Sequence, residues 1–162
     1  MKNIDLGSNC NDSPPNRRQR TRVVVFDSDE MVARRLARSL ASTVSRTYWT
    51  TSFKQAMQLI AEKRANVLVS DCQAGESTSV TFLARCHAKF PDVAIVAMSR
   101  LPDDKPQAIA AGACAFLYKP VRTSKLTEAI NRVREERSAK AHSDTSDQGL
   151  LSPPARLGLR IS

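Results

Sequence analysis

The sequence predicts an α/β fold, a doubly wound five-stranded parallel sheet with strand order 2-1-3-4-5. Between residues 21 and 138, short runs of β-branched and aliphatic residues alternate five times with segments of helical periodicity. Strand–helix–strand connections join parallel neighbours, and right-handed crossovers place helices on both faces of the sheet. Only 5% of the residues are aromatic, so the core must be built from Val, Leu, Ile and Ala, which is typical of a parallel sheet buried on both faces.

The strands are expected where an apolar run is followed by a polar residue. They are Arg22–Asp27, Thr47–Thr51, Val67–Ser70, Val93–Met98 and Cys114–Tyr118. Runs of this length are typical of strands and are too short for core helices.

The predicted helices carry an apolar residue every three or four positions, so that one face of each can pack on the sheet. In chain order, the faces of the four longer helices are Val32, Leu36 and Leu40; Phe53, Ala56, Met57, Ile60 and Ala61; Val80, Leu83, Ala84 and His87; and Leu126, Ile130 and Val133. The first of these helices is expected over Glu30–Ala41.

Local signals mark several helix ends. Ser52 followed by Gln55 predicts a capping box at the start of the second helix. A short fourth helix is expected over Pro106–Ala111, with Gly112 as its C-cap. Thr123 is expected to cap the last helix.

The composition divides the chain into three parts. Residues 1–20 are rich in Asn, Ser, Pro and Arg without periodicity, which predicts a disordered basic N-terminal arm. Residues 21–138 form the folded domain. Residues 139–162 are expected to be a flexible C-terminal tail, because Pro153 and Pro154 prevent a long regular element.

The basic balance of the chain does not by itself indicate a nucleic-acid-binding protein. The formal net charge is +9, but it is spread out, and the only dense run contains Arg17, Arg18, Arg20 and Arg22. We interpret this run as part of a solvated arm and do not expect a nucleic-acid partner. No helix-turn-helix pattern is apparent in 139–162, which is too short for a typical DNA-binding output domain.

Cysteine usage and hydropathy indicate the compartment. The four cysteines form no C-x-x-C pair, which argues against a zinc site and against a disulfide framework. No apolar run reaches the length of a membrane span, and the N-terminus does not resemble a signal peptide. We therefore expect a cytoplasmic protein with no membrane partner.

Four chemically useful side chains follow the predicted strands. Asp27, Asp71, Ser99 and Lys119 stand at the ends of the first, third, fourth and fifth strands. In the order 2-1-3-4-5 these ends are adjacent, at the edge where parallel sheets bind ligands. Crowded carboxylates need a compensating cation, and Mg²⁺ suits one or two carboxylates together with phosphate oxygens. Such a carboxylate can attack phosphorus, while Lys119 and Ser99 pair with the phosphoryl oxygens.

The runs VVVFDSDE, VLVSD, VAIVAMS and AGACAFLYKP resemble the receiver domain of two-component response regulators, over residues 21–138. This resemblance implies a flavodoxin-like fold in which Asp71 accepts a phosphoryl group from a histidine kinase or histidine phosphotransfer protein of a phosphorelay. It implies that Lys119 pairs with the phosphate, that Ser99 is the switch hydroxyl and Phe116 the switch aromatic, and that the peptide before Pro120 is cis. The expected protein is a signalling domain, not an enzyme acting on an external metabolite.

The resemblance also implies a Mg²⁺ site formed by Asp27 and Asp71, with Asp29 and the backbone of Gln73 as further candidate ligands. However, Ser28 stands where the family has a second consecutive acid. A hydroxyl is a weaker ligand than a carboxylate, so we expect reduced Mg²⁺ affinity. Ser28 and Asp29 are explained equally well as caps of the first helix.

Two functional interpretations follow. The first is a phosphorylation switch whose fourth helix, fifth strand and fifth helix form a face for an output partner or a homodimer. The alternative is a phosphorylation-independent receiver-like module that binds a protein partner. Ser28 and the atypical loop Cys72-Gln73-Ala74-Gly75 after Asp71 support the alternative.

Overall fold

The computed structural model describes residues 21–72 and 77–146, with side chains for 21–72 and 78–140. Strands and helices alternate along the chain. In order they are β1 (Arg22–Phe26), α1 (Glu30–Leu40), β2 (Arg46–Thr50), α2 (Phe53–Lys63), β3 (Val67–Asp71), α3 (Ser77–Lys89), β4 (Ala94–Ser99), α4 (Asp104–Ala110), β5 (Ala115–Tyr118) and α5 (Thr123–Ser146). The predicted strand–helix alternation is therefore confirmed, with most strand ends shifted by one residue.

The five strands form one parallel sheet in the order β2-β1-β3-β4-β5, as predicted. Every residue of β3 and β4 is buried, because helices cover both faces of these central strands. The register places Asp71, the last residue of β3, opposite Met98 of β4. Ser99 follows Met98 and therefore lies one position further toward the carboxyl edge of the sheet.

The alternation of side chains along the strands divides the core into two layers. One layer contains Val24, Phe26, Leu68, Ile95 and Ala97, and it packs against α2, α3 and α4. The other layer contains Val23, Val25, Val67, Val69, Val96 and Met98, and it packs against α1 and α5. The fold is thus a three-layer α/β arrangement in which the sheet carries the site at its carboxyl edge.

The capping box at the start of α2 is formed only in part. The Ser52 hydroxyl accepts a hydrogen bond from the Gln55 amide at 3.4 Å, as predicted. The Gln55 side chain does not return to the Ser52 amide; it accepts from the Thr50 hydroxyl at 2.6 Å. Thr50 in turn accepts from the Ser52 amide at 3.0 Å. Thr50, at the end of β2, therefore accepts the hydrogen bond from the Ser52 amide that the predicted capping box assigned to the Gln55 side chain.

The predicted face of α3 is confirmed for Val80 and Leu83, which pack on the core, and wrong for Ala84 and His87. Ala84 and His87 are exposed, whereas Ser79, Phe82 and Cys86 are buried together with Leu83. The small Ala84 and the bulky Phe82 fit the same helical period almost equally well. Packing of Phe82 against Phe53 and Phe26, with ring centroids 4.5 and 5.5 Å away, decides the orientation.

The last helix also differs from the prediction. Thr123 is the first residue of α5, not the residue before it, and the Arg122 carbonyl accepts from the Leu126 amide at 3.1 Å. The helix continues to Ser146, past the boundary placed at residue 138. The predicted N-terminal arm, residues 1–20, and the tail beyond Ser146 lie outside the described residues. Within the described part of the chain, no helix has the length and apolar character needed to cross a membrane.

Gly112 follows the C-cap residue of α4 and has a φ of +104°. The prediction that α4 stops at Gly112 is confirmed, but the C-cap itself is Ala111. The conformation of Gly112 is one that residues with a Cβ rarely adopt. A Cβ built at this position would lie 2.4 Å from Cγ and 2.7 Å from Cβ of His87 on α3. Both the backbone and the contact with α3 require glycine here.

Substitution Gly112→Ala should lower the free energy of unfolding by about 1 kcal/mol or more, because it adds backbone strain and a clash. Urea titration monitored by circular dichroism measures this change. Adding His87→Ala should recover only part of the loss, since the contact with the His87 Cβ remains. An unchanged midpoint in Gly112→Ala would contradict the assigned conformation.

Candidate functional site

The four predicted strand-end residues meet at the carboxyl edge of the sheet. Asp71 ends β3, Ser99 ends β4, Asp27 follows β1 and Lys119 follows β5. The Lys119 amide donates to the Ser99 carbonyl at 2.8 Å, which extends the pairing of β4 and β5 by one residue. Asp27, Asp71 and Ser99 are all at most 4% exposed, so this edge is a buried polar cluster.

Lys119 binds both carboxylates. Its Nζ lies 2.7 Å from Oδ2 of Asp27 and 2.6 Å from Oδ1 of Asp71. Burial alone would lower the pKa of Lys119, but the hydrogen bonds and charges of Asp27 and Asp71 outweigh burial and raise that pKa above its ordinary value. Lys119 is therefore an ammonium at neutral pH. It compensates only one of the two negative charges that it contacts.

The acidic segment after β1 divides its roles. Oδ1 of Asp27 accepts from the Asp29 amide at 2.9 Å. Oδ1 of Asp29 accepts from the amides of Met31 and Val32 at 2.8 and 3.2 Å, so Asp29 is the N-cap of α1. Ser28 is exposed. Of the two expected capping residues, the structure assigns the cap to Asp29; its role as a metal ligand stays a prediction.

Ser99 has a partner that the sequence did not suggest. Its hydroxyl donates to Oδ2 of Asp104 and accepts from the Leu101 amide at 3.1 Å. Asp104 is the first residue of α4 and is only 1% exposed. The predicted helix began at Pro106, which left Asp104 in a loop. An acid five residues after Ser99 was the available signal, and acids are too common before helices for it to be decisive.

The segment around Lys119 agrees with the expectations in part. The Lys119-Pro120 peptide is cis, as expected. Phe116 is half-buried against the core layer of α2, α3 and α4 and meets the exposed Tyr118 edge-to-face, with ring centroids 5.2 Å apart. The switch role of Phe116 stays a prediction.

Cys72 is buried directly after Asp71, and its amide donates to the Met98 carbonyl at 2.7 Å. Burial, followed by the charges of Asp104 and Asp71, raises the pKa of the Cys72 thiol to about 11. The thiol is therefore neutral and closed off from solvent at neutral pH, which supports its interpretation as a small core residue.

The donor set can be tested against Mg²⁺. Among the described residues, no cluster of three or more His, Cys, Asp or Glu side chains is placed to hold a metal ion. Gln73, the expected backbone ligand, lies outside the described residues. Mg²⁺ needs only one or two carboxylates when water and phosphate supply its other ligands. Asp27 and Asp71, joined through one lysine, are compatible with that requirement.

A sequence model of the response regulator receiver domain matches residues 23–131 of the chain. The chain belongs to this family. The match includes Asp27, Asp71, Ser99 and Lys119, so the whole polar cluster lies within the receiver domain.

Known relatives agree with this assignment. The response regulator protein PilR of Pseudomonas aeruginosa is 27% identical over 142 residues, which cover 85% of this chain and 32% of PilR. The chain thus spans about a third of the length of that curated relative. The signal receiver domain of an HD domain-containing protein from Pseudomonas fluorescens is 25% identical, with a TM-score of 0.67 and coverage of 74% of this chain and 98% of that chain. The chemotaxis protein CheY4 of Vibrio cholerae shares the fold, at 19% identity and a TM-score of 0.63 over 70% of this chain and 98% of that chain.

Removing the shared cation should expose the repulsion within the receiver site. Lys119→Met leaves Asp27 and Asp71 buried without their counter-ion and should lower the free energy of unfolding by about 3 kcal/mol at neutral pH. Adding Asp71→Asn should recover part of the loss, because one of the two charges is removed.

Lys125→Met is the matched control for that experiment. Lys125 pairs with Glu128 at 3.0 Å, but both side chains are more than two-thirds exposed, so the change should be below about 1 kcal/mol. Equal losses in Lys119→Met and Lys125→Met would contradict a special role of the buried lysine.

Proposed function

We propose that Asp71 accepts a phosphoryl group from a histidine kinase or a histidine phosphotransfer protein, as part of a two-component phosphorelay. The observation that carries this proposal is the ion pair of 2.6 Å between the buried Asp71 carboxylate and Lys119, at the carboxyl edge of the sheet. A carboxylate oxygen of Asp71 attacks phosphorus, and the P–N bond of the phosphohistidine breaks. The electron pair returns to the imidazole, which takes up a proton from solvent, and Asp71 becomes an acyl phosphate.

The neighbouring side chains would receive the new charge. Lys119 already touches Asp71 and would pair with a phosphoryl oxygen, which is a charge-assisted contact. The Ser99 hydroxyl would donate a second hydrogen bond. We class the protein as a signalling domain that modifies itself, not as an enzyme acting on an external metabolite. We place it in the cytoplasm, where a reducing environment suits its buried free cysteines.

Asp27 and Asp71 would hold Mg²⁺ in this reaction. When bound, the ion supplies positive charge to the phosphoryl oxygens, which lowers the electrostatic cost of bringing a phosphate to two carboxylates. Ser28 offers a hydroxyl where a third carboxylate would strengthen the site, so the proposal includes modest Mg²⁺ affinity.

The output surface in this proposal is the face formed by α4, β5 and α5. Leu101, Ile109 and Tyr118 expose large apolar side chains at or near α4 and β5. Reorientation of Ser99 and Phe116 would alter this face, since Phe116 meets Tyr118 edge-to-face. An output partner or a second copy of the chain would bind there.

Acetyl phosphate with Mg²⁺ tests the acceptor assignment. The wild-type protein should gain the mass of one phosphoryl group, and Asp71→Asn, which keeps the side-chain shape, should gain none. Intact-protein mass spectrometry measures both. Modification of Asp71→Asn to the same extent as the wild type would contradict the assignment of Asp71 as the phospho-acceptor. The phosphorylation-independent module would be favoured by two results together. The wild type would neither gain mass nor respond to beryllofluoride, and the wild type and Asp71→Asn would bind a protein partner equally well.

A second experiment tests the Ser28 corner. Ser28→Asp should tighten Mg²⁺ binding by about tenfold, because metal affinity rises with the number of charged ligands. Isothermal titration calorimetry measures the dissociation constant, and Ser28→Ala is the control expected to match the wild type. Equal Mg²⁺ affinity in wild type and Ser28→Asp would show that position 28 does not face the ion.

A further inference from the structure

Asp104 is a buried carboxylate that the proposed function does not use. It is 1% exposed at the first residue of α4. Within the part of the chain that the structure describes, no lysine or arginine forms an ion pair with it. Its Oδ2 instead accepts a hydrogen bond from the Ser99 hydroxyl. Burying a carboxylate without a cation is costly, so this hydrogen bond is important to the local structure.

The Ser99 hydroxyl has only one proton to donate. In the present structure that proton goes to Asp104, while the Leu101 amide, 3.1 Å away, donates to the hydroxyl oxygen. Both contacts fix the rotamer of Ser99. A phosphoryl group on Asp71 would need the same proton, so the two acceptors exclude each other.

We propose that Asp104 is a positioning residue that withholds the Ser99 proton from Asp71 until Asp71 is phosphorylated, and that loss of the Ser99–Asp104 bond frees the start of α4. This inference rests on the proposed function of Asp71. The coupling to α4 follows from the position of Asp104 in its first turn. The preceding residue, Asp103, makes no side-chain capping hydrogen bond, so the Ser99 contact is the side-chain restraint at this end of α4.

The Ser99–Asp104 hydrogen bond, called the latch from here on, should oppose the phosphorylated state. Asp104→Asn replaces a charged acceptor by a neutral one of the same shape, and its amide can donate to the Ser99 oxygen, which releases the Ser99 proton. Breaking a charge-assisted hydrogen bond shifts an equilibrium by about tenfold. Affinity for beryllofluoride, a mimic of the phosphoryl group, should therefore rise about tenfold in the presence of Mg²⁺.

A charge effect must be separated from the latch. Asp104 is close enough to Asp71 that both charges act on Cys72, so removing a negative charge would favour a phosphoryl mimic by itself. In a Ser99→Ala background no proton is left to release. There Asp104→Asn should have no further effect if the latch is correct, whereas a pure charge effect would persist.

The experiment measures beryllofluoride affinity of the full chain by calorimetry at saturating Mg²⁺, for wild type, Asp104→Asn, Ser99→Ala and the double variant. Asp103→Asn is the matched control, because it removes one charge at the neighbouring exposed position. Thermal unfolding without ligand provides a second readout. A merely structural role for Asp104 would lower both stability and affinity, whereas the latch predicts higher affinity.

The outcomes distinguish the two proposals. If wild type binds and Asp104→Asn binds equally, or if the gain persists with Ser99→Ala, the latch is overturned and the phosphorylation proposal stands. If no variant with Asp71 intact binds beryllofluoride, the phosphorylation proposal fails and the latch with it. Binding that is tighter in Asp104→Asn only when Ser99 is present supports both.

A measurement on the wild type needs no variant. The Leu101 amide donates to the Ser99 hydroxyl in the resting structure. Turning Ser99 toward Asp71 breaks this bond, so beryllofluoride should speed hydrogen exchange at the Leu101 amide, measured by NMR. Unchanged protection of that amide on saturation with beryllofluoride would overturn the latch.

Discussion

The two ion pairs of Lys119 are the constraint on which the site depends. Lys119 follows β5, yet it contacts Asp71 at the end of β3 and Asp27 after β1, across 92 residues of chain in the second case. Since β4 lies between β3 and β5, the lysine side chain extends over the end of β4 to reach both acids. The carboxylates therefore gain their counter-ion only when β1, β3, β4 and β5 are assembled in this order. The electrostatics of the site therefore depend directly on the strand order of the sheet.

The charge balance of the edge is opposite to that of the chain. The whole chain has a formal net charge of +9, but among the described residues the buried edge brings together Asp27, Asp71 and Asp104, and Lys119 pairs with the first two. Buried carboxylates at close range raise each other's proton affinity unless a cation compensates. In the proposed function the edge binds a further positive charge, and an added phosphoryl dianion would increase the need for it.

The parts that could be predicted from the sequence are those set by local pattern and general topology rules. An apolar run that ends in Asp71 or Ser99 places that residue at a strand end, and the crossover rule then brings the strand ends together. The role of Asp104 was not predicted, because its burial depends on how α4 packs on the sheet. An acid before a helix normally indicates only an exposed N-terminal residue. Part of the face of α3 was predicted wrongly for a similar reason. The contact between Phe82 and Phe53 on α2 orients the helix, and the periodicity of α3 alone does not predict that contact. Tertiary packing decided the features that local patterns left ambiguous.

The short helix α4 joins the buried edge to the surface. Its first residue, Asp104, is bound to Ser99, while Ile109, near its other end, is 45% exposed. Ser99 has two mutually exclusive acceptors in our proposal, so it is a two-state element of the kind that can couple a site to a surface. A single charge-assisted hydrogen bond is worth about 1.5–3 kcal/mol, which limits the bias to about one or two powers of ten. A small fraction of unphosphorylated molecules would then already have Ser99 turned toward Asp71, and phosphorylation would enlarge an existing population instead of creating a new conformation.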